Sequence, residues 1–133
     1  METQVIQIYL TVRGGIDAIN WYESTWAAKQ IMLQMAEDET RVMHATLEVF
    51  GGHIMLSDEF PEFENYVTAP PSNGGTSVTV HINFGSREAL DAAAKAALDG
   101  GAKITMPAAE MPWGAYYGRL VDPFGHSWSF AAE

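Results

Sequence analysis

The 133-residue chain has no cysteine, which removes disulfides, thiolate nucleophiles and cysteine-ligated metals from consideration. Basic residues are scarce, 7 against 17 acidic side chains, and the formal charge is −10. A surface of that sign repels phosphate backbones and anionic leaflets, so neither nucleic acid nor membrane is an expected partner. No apolar run approaches the roughly 20 residues of a membrane span. The opening METQVIQIYL lacks the basic flank and apolar core of a secretion signal, so the expected location is cytoplasmic. There is no phosphate-cradling glycine loop, nucleophile elbow or Ser/His/Asp set, and no glycine-rich loop to seat a methyl donor.

What is present suits a packed interior. Hydrophobic residues make up 47% and charged residues 18% of the chain, consistent with one domain over residues 1–133. Val5–Val12 alternates as a strand, Gly14-Gly15 ends it, and Ile16, Ile19 and the Ala18/Tyr22 pair recur at helical spacing to about Ala28. Strands are expected at Lys29–Ala36, Val42–Phe50 and His53–Ser57. The first phrase is therefore βαβββ. Residues 58–76, with Pro61, Pro70, Pro71 and Gly74-Gly75, read as an irregular connector.

The second half repeats the phrase. Ser77–Phe84 alternates, Ser86 is placed to cap a helix ending near Asp99, and Gly100-Gly101 stops it. Strands follow near Lys103–Met106, Tyr116–Val121 and Ser127–Ala131. Laying LTVRGGIDA (10–18) on INFGSREALDA (82–92) matches strand to strand and helix start to helix start. The expected fold is α+β: module one over about 1–60 and module two over about 77–133, two tandem βαβββ units forming a curled mixed sheet around a cavity.

By alternation, each module's helix covers the apolar face of its strands and a mixed-polarity face is left for the cavity. That face carries Gln7, Tyr9, His44, Thr46, Glu48, His53, Met55 and Ser57 in module one. In module two it carries Thr79, His81, Asn83, Ser127 and Ser129. Amide, hydroxyl, imidazole and carboxylate groups together suit a ligand cavity; a merely solvated face is the alternative. His81 is placed as a general base or hydrogen-bond donor, and Glu48 as an acidic group able to act as a base. Trp113 and Tyr116 are placed to wall a planar ligand.

The segments YLTV and DAINWY, then MHATLEVFGGHIMLSDE, then WGAYYGRLVDPFGHSWSF resemble the PhnB-like branch of the vicinal oxygen chelate superfamily. That superfamily includes glyoxalase I, extradiol dioxygenases, fosfomycin-resistance enzymes and bleomycin-binding proteins. Within DPFGHSW, Asp122-Pro123 and Gly125 form a tight turn into a last strand whose Trp128 and Phe130 face the core. The resemblance implies a homodimer, a small-molecule ligand and, in metal-dependent members, a His or Gln in the first strand and a Glu or His in the last strand of each module. The matching positions hold Gln7, Met55, Thr79 and Ser129, so one position of four keeps a ligand type. A relaxed set of Gln7, His81 and Glu48, or His81, His44 and Glu48, is the remaining route to a divalent ion. Two functions follow as expectations. One is a binding protein whose acidity favours cationic ligands, and which is not a true glyoxalase I. The other is a metal-dependent lyase, isomerase or dioxygenase acting on vicinal oxygens.

Overall fold

A computed structural model describes residues 3–133. They form two compact units, one comprising residues up to Glu23 with Ala27–Ala69, the other Ser24–Trp26 with Pro70–Glu133. In the first, β1 (Ile8–Val12), α1 (Gly15–Trp26), β2 (Lys29–Met35), β3 (Val42–Val49) and β4 (Gly52–Asp58) follow in sequence. The strands make a mixed sheet of order β1-β4-β3-β2, with β1 parallel to β4 and the other pairs antiparallel. In the second, β5 (Thr79–Asn83), α2 (Arg87–Asp99), β6 (Lys103–Glu110), β7 (Tyr116–Val121) and β8 (Ser127–Ala132) repeat the plan in the order β5-β8-β7-β6. The fold is α+β, built from two βαβββ modules, as the half-chain repeat indicates.

The repeat also holds residue by residue. Tyr9 lies opposite Met55 across the parallel β1/β4 pair, and His81 lies opposite Ser129 across β5/β8. Tyr9 and His81 are equivalent when residue 10 aligns with residue 82, and their partners show that Met55 and Ser129 are equivalent too. Alternation sorts β3 cleanly: Ala45, Leu47 and Val49 are buried, and His44, Thr46 and Glu48 take the other face.

Two element boundaries differ from the sequence reading by more than two residues. β1 begins at Ile8 and not Val5, and Val5 and Ile6 are exposed. Its partner explains this: Ile8 pairs with Ile54, and two residues further back β4 has reached its start at Gly52, the end of the hairpin. β6 runs on to Glu110 past Pro107, with register shifts on either side of Met106. Proline donates no ladder hydrogen bond, and an edge strand tolerates it by bulging.

The core of the second unit is aromatic. Trp128 and Phe130 are fully buried, Phe84 meets Phe130 edge-on at 5.1 Å, and Trp26 meets Trp128 at 4.9 Å. The Trp26 indole N–H donates to Ala93 O at 3.0 Å. Helix α2 packs on β6 and β8 through Leu90, Ala93 and Ala97. Its start is capped by Ser86, whose hydroxyl accepts from the Ala89 N–H at 3.1 Å.

Two buried carboxylates organise the turns. In the first unit, Asp58 accepts from the N–H groups of Gly14 (2.9 Å), Gly15 (3.0 and 3.1 Å) and Val42 (2.7 Å). It neutralises the otherwise unpaired donors at the start of α1, where a negative charge is also favoured by the helix dipole. Gly15 is required there, since a Cβ would come within 2.6 Å of Asp58 Oδ2 and 2.7 Å of Val42 Cγ2. In the second unit, Asp122 accepts from Phe124 N, His126 N and the Trp128 indole, which ties the DPFG turn to the core. No helix among the described residues is long and apolar enough to cross a membrane.

Candidate functional site

The non-core face of the first sheet carries a continuous polar line. The Tyr9 hydroxyl meets His44 Nδ1 at 2.9 Å, and His44 Nε2 meets Thr46 Oγ1 at 3.2 Å. With Tyr9 donating, His44 takes the tautomer that donates from Nε2 to Thr46. Met55 lies between them, opposite both Tyr9 and Thr46. The structure thus brings four of the expected residues together.

It separates others. Gln7 precedes β1 and is exposed. Glu48 is at the hairpin end of β3, opposite His53, with 3.9 Å between His53 Nε2 and Glu48 Oε2 and half of each side chain in solvent. An exposed carboxylate at a hairpin end differs from the half-buried group the alternation suggested.

The equivalent face of the second sheet is denser. His81 Nδ1 meets Ser129 Oγ at 2.8 Å and its Nε2 meets Asn83 Oδ1 at 2.9 Å. Thr79 and Ser127 join their hydroxyls at 2.9 Å. Arg119, which the sequence reading passed over, donates to Tyr117 OH (2.9 Å), Thr79 Oγ1 (2.7 Å) and Ser127 Oγ (3.3 Å). Tyr117 stacks near His81 with centroids 6.3 Å apart. Tyr116 takes the opposite side of β7 and donates to Asp91 of α2 at 2.6 Å, an interaction that raises its pKa. Trp113 is in the turn before β7 and is 71% exposed.

The two faces are related by an exchange. Thr46 and Arg119 lie opposite the equivalent residues Met55 and Ser129, so His44 corresponds to Tyr117 and Tyr9 to His81. A tyrosine and a histidine reach toward each other in both modules, with the two residue types swapped.

The connector adds a cleft to the first unit, with a volume of about 470 Å³. Its floor is the non-core sheet face at Tyr9, Thr11 and Ser57, with Met43 beside it, and its wall is Phe60, Phe63, Tyr66 and Val67. Phe60 and Phe63 stack at 5.5 Å with a 13° tilt, and the Arg41 guanidinium covers Phe60 at 4.4 Å. Arg41 is itself held by Asp38 and Glu62, each at 2.7 Å. Arg13 and the Ala69 N–H both bind Glu59, which fixes the connector's two ends. Phe63, Tyr66 and Val67 nevertheless remain 53%, 44% and 68% exposed. The sequence carried a signal for this wall that its proline content masked, since three aromatics fall within the seven residues 60–66.

Comparison with known proteins places this architecture. Residues 7–130 match the model of the glyoxalase/bleomycin resistance protein/dioxygenase superfamily. The chain belongs to that superfamily. An uncharacterised protein of Mycobacterium bovis is 32% identical over 122 residues, covering 91% of this chain and 78% of that one. An uncharacterised protein of Mycobacterium tuberculosis gives the same identity over 69% of its length. The chain superposes on the PhnB protein of Bacillus cereus with a TM-score of 0.74 at 23% identity, covering 98% of this chain and 100% of that one. A superfamily domain from Frankia gives 0.74 at 19% identity, covering 99% and 93%. These two likenesses concern the fold.

The superfamily's metal positions can be tested against the residues here. Met55 offers a soft thioether and Thr79 and Ser129 offer neutral hydroxyls, a poor set for a hard divalent ion. Ser129 is engaged by His81, and Thr79 by Arg119 and Ser127. Both ring nitrogens of His44 and of His81 are likewise committed to neighbours. No group of three His, Asp or Glu side chains among the described residues is arranged to hold an ion. The donors do not fit the superfamily's metal.

Proposed function

We propose that this superfamily member binds a small, flat, aromatic molecule in the cleft of its first unit, and that such binding, in preference to metal-assisted lyase, isomerase or dioxygenase chemistry, is its function. The observation that carries this reading is the aromatic wall of Phe63 and Tyr66, standing half-exposed beside the buried Phe60 over a floor of hydroxyl groups. Apolar side chains exposed on an otherwise polar connector mark a binding surface. A volume near 470 Å³ suits a molecule of drug-like size. Glu64 on the lining and the chain's charge of −10 favour a ligand bearing a positive charge. The protein is further proposed to be a homodimer, which sedimentation at several concentrations tests.

A thermal-shift screen of neutral, cationic and anionic aromatic compounds tests the main reading. A ligand at about a hundred times its Kd stabilises by roughly 2.7 kcal/mol, which at this chain length raises Tm by several degrees. Phe63→Ala should abolish that shift and leave the ligand-free Tm within a degree or two. A panel in which no aromatic compound stabilises the protein, or a shift that Phe63→Ala retains, would sink the proposal.

A further inference from the structure

The chain holds four arginines, and three of them meet carboxylates: Arg13 with Glu59, Arg41 with Asp38 and Glu62, and Arg87 with Glu110. Arg119 does not. Among the described residues its only side-chain partners are the hydroxyls of Tyr117, Thr79 and Ser127. Scarcity of acids does not explain this, because acidic residues outnumber basic ones 17 to 7. A half-buried guanidinium gains more from a carboxylate than from neutral oxygens, since charge-assisted bonds are about twice as strong. The site therefore keeps a cation in place with its strongest type of partner left out.

The hydroxyl collar shapes what is left. Arg119 uses Nη1 and Nη2 to hold the collar, and its Nε–H makes no hydrogen bond with a described residue. Tyr117 accepts from Arg119, so its own proton is available to donate outward. Its ring is flanked by that of His81, which meets Ser129 and Asn83. Arg119 through Nε and Tyr117 through its hydroxyl can thus present donors, and none of the named groups in the patch is a carboxylate.

We infer that Arg119, with Tyr117, is a seat for the oxyanion of a small molecule, a carboxylate or a phosphate group, on the polar face of the second sheet. The guanidinium supplies charge and planar donors, which suit a carboxylate or phosphate better than a point charge does. The collar keeps the fork from collapsing onto the sheet, so little ordering is lost on binding. This preference is opposite in sign to that of the aromatic cleft, and the two readings fail independently.

The test uses three probes: benzoate, inorganic phosphate and the cation benzamidine, which resembles benzoate in shape. Each is titrated into the whole protein, and the backbone amides of Thr79, Tyr117, Arg119 and Ser127 are followed by NMR. Saturable shifts with benzoate support a carboxylate seat, and with phosphate a phosphate seat. Arg119→Met should weaken the effective anion by about tenfold or more, the scale of one lost charge-assisted pair. Arg119→Lys should retain a weaker site, and it carries the test if the methionine variant fails to fold. Phe63→Ala should leave anion binding unchanged. The inference is overturned if neither anion gives saturable shifts, if benzamidine moves the same amides equally, or if Arg119→Met binds as the wild type does.

Discussion

Replacing Asp58 with asparagine tests whether one buried carboxylate joins the start of α1 to the sheet. Asp58 is 8% exposed and receives four short contacts from three backbone N–H groups. An amide at this position can keep Oδ1 on Gly14 and Gly15, but the other arm becomes an NH2 group facing the Val42 N–H, which now sits 2.7 Å from Oδ2. Two donors then oppose each other. Losing one hydrogen bond to a charged acceptor costs about 1.5–3 kcal/mol, and removing the negative charge from a helix N-terminus adds about 0.3–1 kcal/mol. The expected loss is roughly 2–4 kcal/mol, a large share of the ~5–15 kcal/mol available to a domain. Asp58→Ala, which leaves all three donors without the carboxylate, should cost about 3–5 kcal/mol. Urea unfolding followed by circular dichroism would show the midpoint falling with an unchanged slope. Hydrogen exchange at Val42 should accelerate more than exchange at Leu47 in the centre of the same strand. A midpoint within about 0.5 kcal/mol of the wild type for Asp58→Asn would refute the account, since that is the range of an inert surface change.

Other outcomes follow from single contacts. Ser86→Ala should destabilise by about 1 kcal/mol through loss of the α2 cap, and a neutral result would mean that Ala89 N–H is satisfied by water at no cost. The hydrogen bond from Tyr116 to Asp91 raises the tyrosine pKa; the neutral phenol is favoured in the folded state, so its stabilising effect is present below the ordinary value near 10 and is lost as pH rises through the elevated one. An ultraviolet phenolate titration should lose its late-titrating component in Tyr116→Phe, and persistence of that component would disprove the assignment. Asp38 is held far below the usual carboxylate range, first by the backbone N–H groups of Arg41 and Thr40 and then by the Arg41 side chain; Glu62 is lowered chiefly by Arg41. With folded values depressed, this clasp is complete above pH ~4 and loosens only as pH falls through them. The Arg41 Nε–H should stay slowly exchanging down to that point. Loss of the signal already at pH ~6 would contradict the geometry.

The legibility of this chain follows from the physical range of each signal. Alternation and glycine turns act locally, so strands such as Tyr116–Val121 and the Ser86 cap could be read from neighbouring letters. The alignment of residue 10 with residue 82 came from comparing segments with one another, and it carried the two-module plan and the equivalence of Tyr9 and His81, while their strand partners Met55 and Ser129 came from the structure. Less visible were features set by distant partners. The role of Asp58, at the start of the connector, was hidden because its three backbone donors come from residues 14, 15 and 42. Arg119 was passed over because its collar is drawn from β5, β7 and β8. The wall of the cleft was hidden by Pro61, Pro70 and Pro71, which signal a connector but not which side its aromatics take. Glu48 showed the converse error: alternation gave its face correctly, yet position along the strand, at a hairpin end, decided its exposure.

The exchange of Tyr9–His44 for His81–Tyr117 indicates how a duplicated unit acquires two chemistries. Equivalent backbone positions hold the same two residue types in both modules, so the scaffold for a tyrosine–histidine pair has been kept while its polarity has been inverted. One difference is the third member on the central strand. In the first module it is Thr46, a neutral group that accepts from His44 and leaves the pair self-contained. In the second it is Arg119, which binds the tyrosine and detaches it from the histidine, so that His81 turns to Ser129 and Asn83. The difference between threonine and arginine at equivalent positions thus joins the differences between Met55 and Ser129 and between Thr11 and Asn83 in separating a closed polar line from an open cationic one. Thr46→Arg and Arg119→Thr would each be expected to move a module toward the hydrogen-bonding pattern of the other. That expectation is carried by strand register alone, and register is the property the two halves share most closely.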